Sequence, residues 1–477
     1  MLLPIVAAAG AAILIATARK PVIGCAVLAA GVPLSTALGR DTIIPVLRPN
    51  EAILLLVIGG LVLHHLWYRE AFAYHRLDIA VTVFAVGLAL IPWVVLWAAH
   101  TWIDFDTWRA VLGSLQFLAV YVCFAQLRTS DRDLRRLLNL TLLVSVIVGA
   151  IAIIELQDFP GGARSALMGI FPPDRPISIW DNIYRPTSTL GVYGAVGAFA
   201  ALNFILALTL ANQPNSRRDN IWLTFVMVVN LGSVVASLTW APAAALLVGA
   251  SAVIWYARRV PWQVWVGVGA VLVAIIVLWP AVSQRIDQQQ VGMGNVATLD
   301  QRFRNWQVFF LPVLAEHLWL GSGTLLPPDL PPYLMDFADN EFVRIGFRAG
   351  LVGLALLTVM LTVVGCTAWQ CRPSRDPWTR ALGALVLATV LTIVLTGFTA
   401  EYLSFGGLSQ YIAMLFGLLA SRLRTPGRVP SQAPAGTDPL PRSRGRVGWG
   451  PNSPQIPTVP SPQIPTAPYP ARVGGLP

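Results

Sequence analysis

Four arginines, Arg185, Arg304, Arg344 and Arg348, stand beside or inside long apolar runs. An isolated Arg at the centre of a membrane span costs about 2.5–3.5 kcal/mol on insertion scales, so residues kept there face a polar cavity or a partner. A guanidinium is a planar fork that matches phosphate oxygens two at a time, so a convergent set of arginines suits a diphosphate. Arg344 and Arg348 lie four apart, with Glu341 three residues before Arg344, a spacing that puts all three on one helical face. Snorkelling to headgroups, or a structural pair with Glu341, is the bland alternative for these arginines. Just ahead come Asp339 and Asn340. Asp339 or Glu341 is placed to take a proton from an acceptor hydroxyl, while Asp339 equally suits the cap of the helix that follows. Arg302 and Trp306 flank Arg304, and Trp306 offers either a sugar-stacking face or a member of an interfacial aromatic belt. His317 is the one histidine in this stretch and ranks below the acids as a base or substrate contact. The five histidines show no zinc-ligand spacing and the four cysteines sit in or beside apolar runs, so neither a metal, a cofactor nor a disulfide is expected.

The elements that must position these residues follow from composition. The chain has 477 residues, 56% hydrophobic and 12% charged, with mean hydropathy +0.65. A soluble fold carries about 25% charged residues, and half that share does not coat a water-soluble surface of this size. A soluble enzyme, a secreted disulfide scaffold and a disordered chain are excluded. Apolar runs fall at about 2–18, 21–38, 52–67, 79–99, 110–127, 137–156, 187–211, 221–238, 241–257, 261–280, 345–370, 381–398 and 407–421. They predict an all-α polytopic transmembrane bundle of about 12–14 spans, each needing about 17–25 residues.

The net charge of +10 is first an orientation signal rather than a sign of nucleic acid. With the N-terminus outside, one side holds 22 basic and 7 acidic residues and the other 11 and 16. The basic side is cytoplasmic by the positive-inside rule, which also puts the C-terminus there. Two outer loops, about 157–186 and 281–344, are too long to be mere connectors. Both carry Pro, Gly, Trp and charges of both signs, so chemistry is expected on the outer face. The tail 425–477 holds 14 prolines and a repeated Ser-Pro-Gln-Ile-Pro-Thr, at 453–458 and 461–466. Such composition does not bury a core and predicts a disordered segment beside a membrane domain at 1–424.

A resemblance rests on the order of motifs across the two loops. Arg302 to Trp306 opens a helix, Gly321-Ser-Gly323 makes a turn, and Asp339-Asn340-Glu341 leads into a Gly-spaced apolar helix. Tyr184-Arg185-Pro-Thr-Ser-Thr-Leu-Gly191 stands at the mouth of a span. Together these resemble the O-antigen ligase and O-antigen polymerase superfamily of membrane glycosyltransferases, over roughly 180–355 at motif level. The resemblance implies a GT-C-like bundle in the bacterial cytoplasmic membrane that transfers or polymerises undecaprenyl-diphosphate-linked glycan on the outer face. It implies metal-independent inverting transfer to a glycan or lipid acceptor, with a flippase or chain-length regulator as further partners. Asp339, Glu341 and Arg344 would be catalytic. Arg185, Arg302, Arg304, Arg348, Trp306, Asn340 and His317 would bind donor or glycan. Ligases of this class typically carry His before the Asn, where this chain has Asp339, which favours a polymerase-like member. The position after Ser237, where the family often has Arg, is Leu238.

The competing class is a transporter of a small solute, which the number of spans also suits. Transporters place ionisable groups near the bilayer midplane, often in discontinuous helices and internal repeats. Here the middle spans show few ionisable groups, and the outer-face charge gathers in the two long loops instead.

Overall fold

The computed structural model of the chain describes residues 2–39, 47–69, 72, 74–100, 105–157, 162–173, 184–290, 297–324 and 338–424. The Pro-rich tail, with Trp180 and Tyr333 of the outer loops, lies outside the described residues. The helices run α1 (Leu2–Arg19), α2 (Pro21–Ser35), α3 (Pro49–Tyr68), α4 (Arg76–Ala98), α5 (Phe105–Ala125) and α6 (Asp131–Gln157). Then come α7 (Ala163–Ile170), α8 (Tyr193–Ala211), α9 (Arg217–Ala236), α10 (Trp240–Ala257), α11 (Gln263–Val277) and α12 (Trp279–Gln290). The last are α13 (Ala297–Asn305), α14 (Leu311–Glu316), α15 (Glu341–Gln370), α16 (Pro377–Thr396) and α17 (Leu408–Arg424). No strand occurs among the described residues. Eight of these helices, α3, α4, α6, α8, α9, α10, α15 and α16, are long and apolar enough to cross a membrane. Shorter apolar stretches lie in α1, α2, α5 and α11. The protein is therefore a polytopic helical bundle, and each of the thirteen apolar runs coincides with a helix.

The centre of the bundle is α8. Its residues Ala195 to Leu210 are all buried, as expected of a helix apolar on every face. It is packed by α6, α9, α10 and α16. Gly197 lets α10 approach, because a Cβ there would lie 2.6 Å from the Pro242 ring and 2.5 Å from the Ser237 hydroxyl. Helix starts are written in short polar side chains. Ser216 accepts from Asp219 N at 3.2 Å, Asp376 from Thr379 N at 2.9 Å, and Asn340 from Phe342 N and Val343 N at 2.9 and 3.1 Å. Each satisfies N–H groups that the first helical turn leaves without partners.

Ionic groups sit at helix ends. Asp78, in the first turn of α4, accepts from the Tyr121 hydroxyl at 2.7 Å and pairs with Arg424 at the end of α17. Both members are nearly enclosed, and truncating one partner of a buried pair costs about 3–5 kcal/mol because the other charge is left stranded. Arg424→Ala is therefore expected to lower the unfolding temperature markedly in detergent, with a smaller change for Arg136→Ala, whose exposed side chain only approaches Asp133.

Helix α15 is not one rod. Its 30 residues would span about 45 Å, against a hydrocarbon core of about 30 Å. Gly350 breaks it, with φ 64° and ψ −160°, a region essentially reserved for glycine. The break divides a polar first part, Glu341–Ala349, from an apolar remainder whose 20 residues match the membrane. At the break the backbone finds new partners in the turn after α14. Ser322 N donates to Phe347 O at 2.8 Å and Gly323 N to Arg348 O at 3.3 Å. In return Leu351 N donates to Leu318 O at 2.9 Å and Val352 N to Trp319 O at 3.2 Å. The Gly-x-Gly of the sequence is thus the plug of a broken helix. A Cβ at Gly321 would lie 2.6 Å from the backbone of Phe347, Arg348 and Ala349.

Candidate functional site

The polar first part of α15 lies against the connection between α16 and α17. Glu341 N donates to Gly397 O at 2.8 Å, and the Glu341 carboxylate accepts from Leu403 N at 2.9 Å. Arg344 pairs with Glu401, which is fully buried. Glu401 went unremarked in the sequence reading. Its signal was there, since it is the only acid between Asp376 and Asp438 and lies between two apolar runs. Arg348 is near enough to Arg344 for the two like charges to repel.

Capping goes to Asn340, so Asp339 is not the helix cap. Asp339 is held at φ 49°, with its side chain half exposed, and pairs with Arg302 at 3.3 Å. Arg302 also donates to Thr399 O at 3.2 Å. The pair sits in a small cleft of about 30 Å³ with Tyr193 from the start of α8, Thr239 and Pro242 from the start of α10, and Tyr402. That volume holds a water or so, so any larger ligand would lie across the mouth rather than inside. Burial pushes the Tyr402 hydroxyl well above the usual tyrosine range, and Thr396 donates to its oxygen at 2.7 Å.

Arg185 stacks over the Tyr193 ring at 4.5 Å, which ties the first outer loop to the same cleft. That loop is fastened by an acid that the sequence shows near the end of a span without revealing its partners. Glu155, fully buried at the end of α6, accepts from Thr187 N at 2.9 Å, Ser188 N at 3.0 Å and the Tyr184 hydroxyl at 3.3 Å. Burial and the Glu155 carboxylate push the Tyr184 hydroxyl well up.

Other expected residues fall elsewhere. Arg304 points outward from α13, paired with Asp300 at 3.2 Å and largely exposed. Trp306 begins a π-helical turn, Trp306–Phe310, and is buried. Its indole N–H donates to Ala338 O at 2.6 Å and Phe303 meets it edge to face. The Trp306 ring thus packs inside and holds the segment before Asp339 in place. His317 is exposed, and no side-chain contact among the described residues links it to the arginines. Leu238, standing where the family often has Arg, is buried at φ 49° beside Thr239.

An apolar groove of about 470 Å³ runs down between α9, α10, α11 and α12. Thr239 lines both it and the cleft. A phosphate at the cleft would therefore have a hydrocarbon path beside it. Among the described residues no group of three His, Cys, Asp or Glu is arranged to hold a metal ion.

Residues 220–358 match the family model described as O-antigen ligase. The match runs from the first turn of α9 to the middle of α15 and takes in Thr239, Arg302, Asp339, Arg344 and Arg348. Over that segment, less than a third of the chain, the protein is similar to the O-antigen ligase family. No curated protein matches the chain.

Proposed function

We propose that the protein transfers or polymerises undecaprenyl-diphosphate-linked glycan units on the outer face of the cytoplasmic membrane, with polymerisation favoured over ligation. The observation that carries this reading is the Arg302–Asp339 pair in a cleft that shares Thr239 with an apolar groove, inside the matched segment. Such a layout suits an amphiphilic donor, with its diphosphate at the arginines and its polyprenyl chain in the groove. The N-terminus then lies outside and the C-terminus in the cytoplasm, following the distribution of basic residues.

In the proposed reaction the acceptor hydroxyl attacks the anomeric carbon from the face opposite the diphosphate. Its proton passes to the Asp339 carboxylate, while the electron pair of the anomeric carbon–oxygen bond leaves on the diphosphate oxygen. The configuration inverts because the displacement is single. Arg185 and Arg302 meet the charge that develops on the leaving group, as fixed cations do when aimed at developing charge. Arg344 and Arg348 supply positive field from α15, with Glu401 and Glu341 fixing that half-helix in position. The guanidinium forks fill the role a metal ion plays in other diphosphate chemistry.

A transporter would place ionisable groups at mid-membrane depth. Here the described mid-helix polar groups are neutral, such as Asn203, which accepts from the Tyr411 hydroxyl at 3.3 Å, and Asn230, which donates to the Ser145 hydroxyl at 3.0 Å.

The deciding measurement is the pool of lipid-linked glycans in a strain lacking the gene. Single repeats left on the lipid are expected from loss of a polymerase, and finished polymer still on its lipid would assign ligation instead. An unchanged pool would overturn the reading. Complementation with Arg185→Ala, at confirmed expression, should leave the same intermediates as the deletion.

A further inference from the structure

Helices α8, α10, α15 and α16 each run from the cleft to the opposite end of the bundle, and there they enclose a second cavity of about 420 Å³. Arg258 and Arg259 from the end of α10, Arg372 from the end of α15 and Arg380 from the start of α16 line it, with Asn212 and Gln213 after α8. No carboxylate does. We propose that this cavity binds a phosphate-bearing anion, and that the surroundings favour the headgroup of an anionic phospholipid as its source. The site is independent of the cleft and of the glycan-transfer reading.

Helix geometry accounts for only part of this gathering. Arg258, Arg259 and Arg372 follow helix C-termini, where cations are favoured by the helix dipole. Arg380 stands in the first turn of α16, where the dipole disfavours a cation. The nearest acid in the chain, Asp376, is committed to capping α16 through Trp378 N and Thr379 N and does not line the cavity. Four arginines around one space repel each other unless an anion enters. The volume falls within the range of about 300–1,000 Å³ typical of small-molecule sites.

The depth of the cavity points to a lipid. Arg372 lies over the rings of Trp369, Trp255 and Tyr256 at 4.9, 5.6 and 5.8 Å, and donates to Trp255 O at 3.4 Å. Trp255 and Trp369 stack at 4.8 Å, and both are exposed on the outside of the bundle. Indole rings concentrate at the level of the headgroups, and basic pockets between helices at that level hold anionic headgroups. The aromatic pair fixes the Arg372 guanidinium at the height where a lipid phosphate sits, beside a surface that acyl chains can cover.

The test uses the full chain in mixed micelles, titrated with short-chain phosphatidylglycerol, phosphatidylcholine or inorganic phosphate, with retention of lipid read by native mass spectrometry and stability by thermal unfolding. Phosphatidylglycerol should bind and stabilise while phosphatidylcholine should not. The double variant Arg372→Gln/Arg380→Gln should weaken binding about twenty-fivefold, at about fivefold for each arginine. A charge-matched pair in the tail, Arg444→Gln/Arg446→Gln, should change it less than twofold. Should the double variant fold poorly, Arg259→Gln, exposed and without a packing role, is expected to give about a fivefold loss. Displacement of phosphatidylglycerol by millimolar inorganic phosphate would support the anion site with a soluble source, and failure of phosphate to compete supports the lipid source. Equal losses for the cavity and tail variants, or no preference for the anionic lipid, would overturn the proposal.

Discussion

Asp339→Asn should slow glycan transfer by at least about a hundredfold, the lower end of what a positioned general base supplies, while leaving thermal stability nearly unchanged. The change keeps the side chain's size and removes only its basicity. Asp339 is half exposed and its pair with Arg302 is correspondingly screened, so the lost attraction amounts to about 0–1 kcal/mol. A purified lipid-linked donor and a glycan acceptor give the rate, and calorimetry gives the stability. Arg302→Ala should also lower the rate, and the double variant should fall little below Asp339→Asn, because two groups acting as one unit do not add. A wild-type rate for Asp339→Asn would remove it as the base and leave it as the partner that orients Arg302.

Gly350→Ala is expected to be the most damaging small change in the membrane domain. Any L-residue is strained at φ 64°, ψ −160°, at about 1–3 kcal/mol. Its Cβ would also meet the Trp319 carbonyl, which is backbone and has nowhere to go. The turn after α14 would lose its seat in α15, so folded protein should fall sharply in a fluorescence-detected size-exclusion profile. Gly365→Ala is the matched control in the same helix. There a Cβ would touch Val390 at an ordinary 3.4 Å, and yield should hold or rise, since alanine favours the helix by about 1 kcal/mol. Equal yields for the two variants would mean that the break at Gly350 does not need glycine.

The same contrast marks how far the sequence could be read. Each of the thirteen apolar runs is a helix, because about 20 apolar residues have few other ways to satisfy their backbone in lipid. The break in α15 leaves no trace in hydropathy, since the run 345–370 continues across it; only the spacing of glycines hinted at it. The site was legible in its residue types and less so in its partnerships. Arg302, Asp339 and Arg185 gather around the cleft, directly or through Tyr193, while Arg304 turns outward to Asp300. Nothing in their spacing distinguishes Arg302 from Arg304, because a short polar helix can present either one inward. The roles of Glu401 and Glu155 escape the sequence for another reason. Each pairs with groups far away in the chain or in a loop, and sequence order does not reveal a partner 57 residues off.

The plug at Gly350 also sets an order of events during synthesis. Leu318 and Trp319 leave the ribosome roughly thirty residues before Leu351 and Val352, their partners in the exchanged hydrogen bonds. At about 5–20 residues per second, that turn waits some seconds without its partners in α15. Thr399 and Tyr402, which complete the cleft, arrive later still. The face that holds Arg302 and Asp339 is therefore assembled only after α15 and the α16–α17 connection have been delivered to the membrane, so an incomplete chain carries the arginines without the cleft.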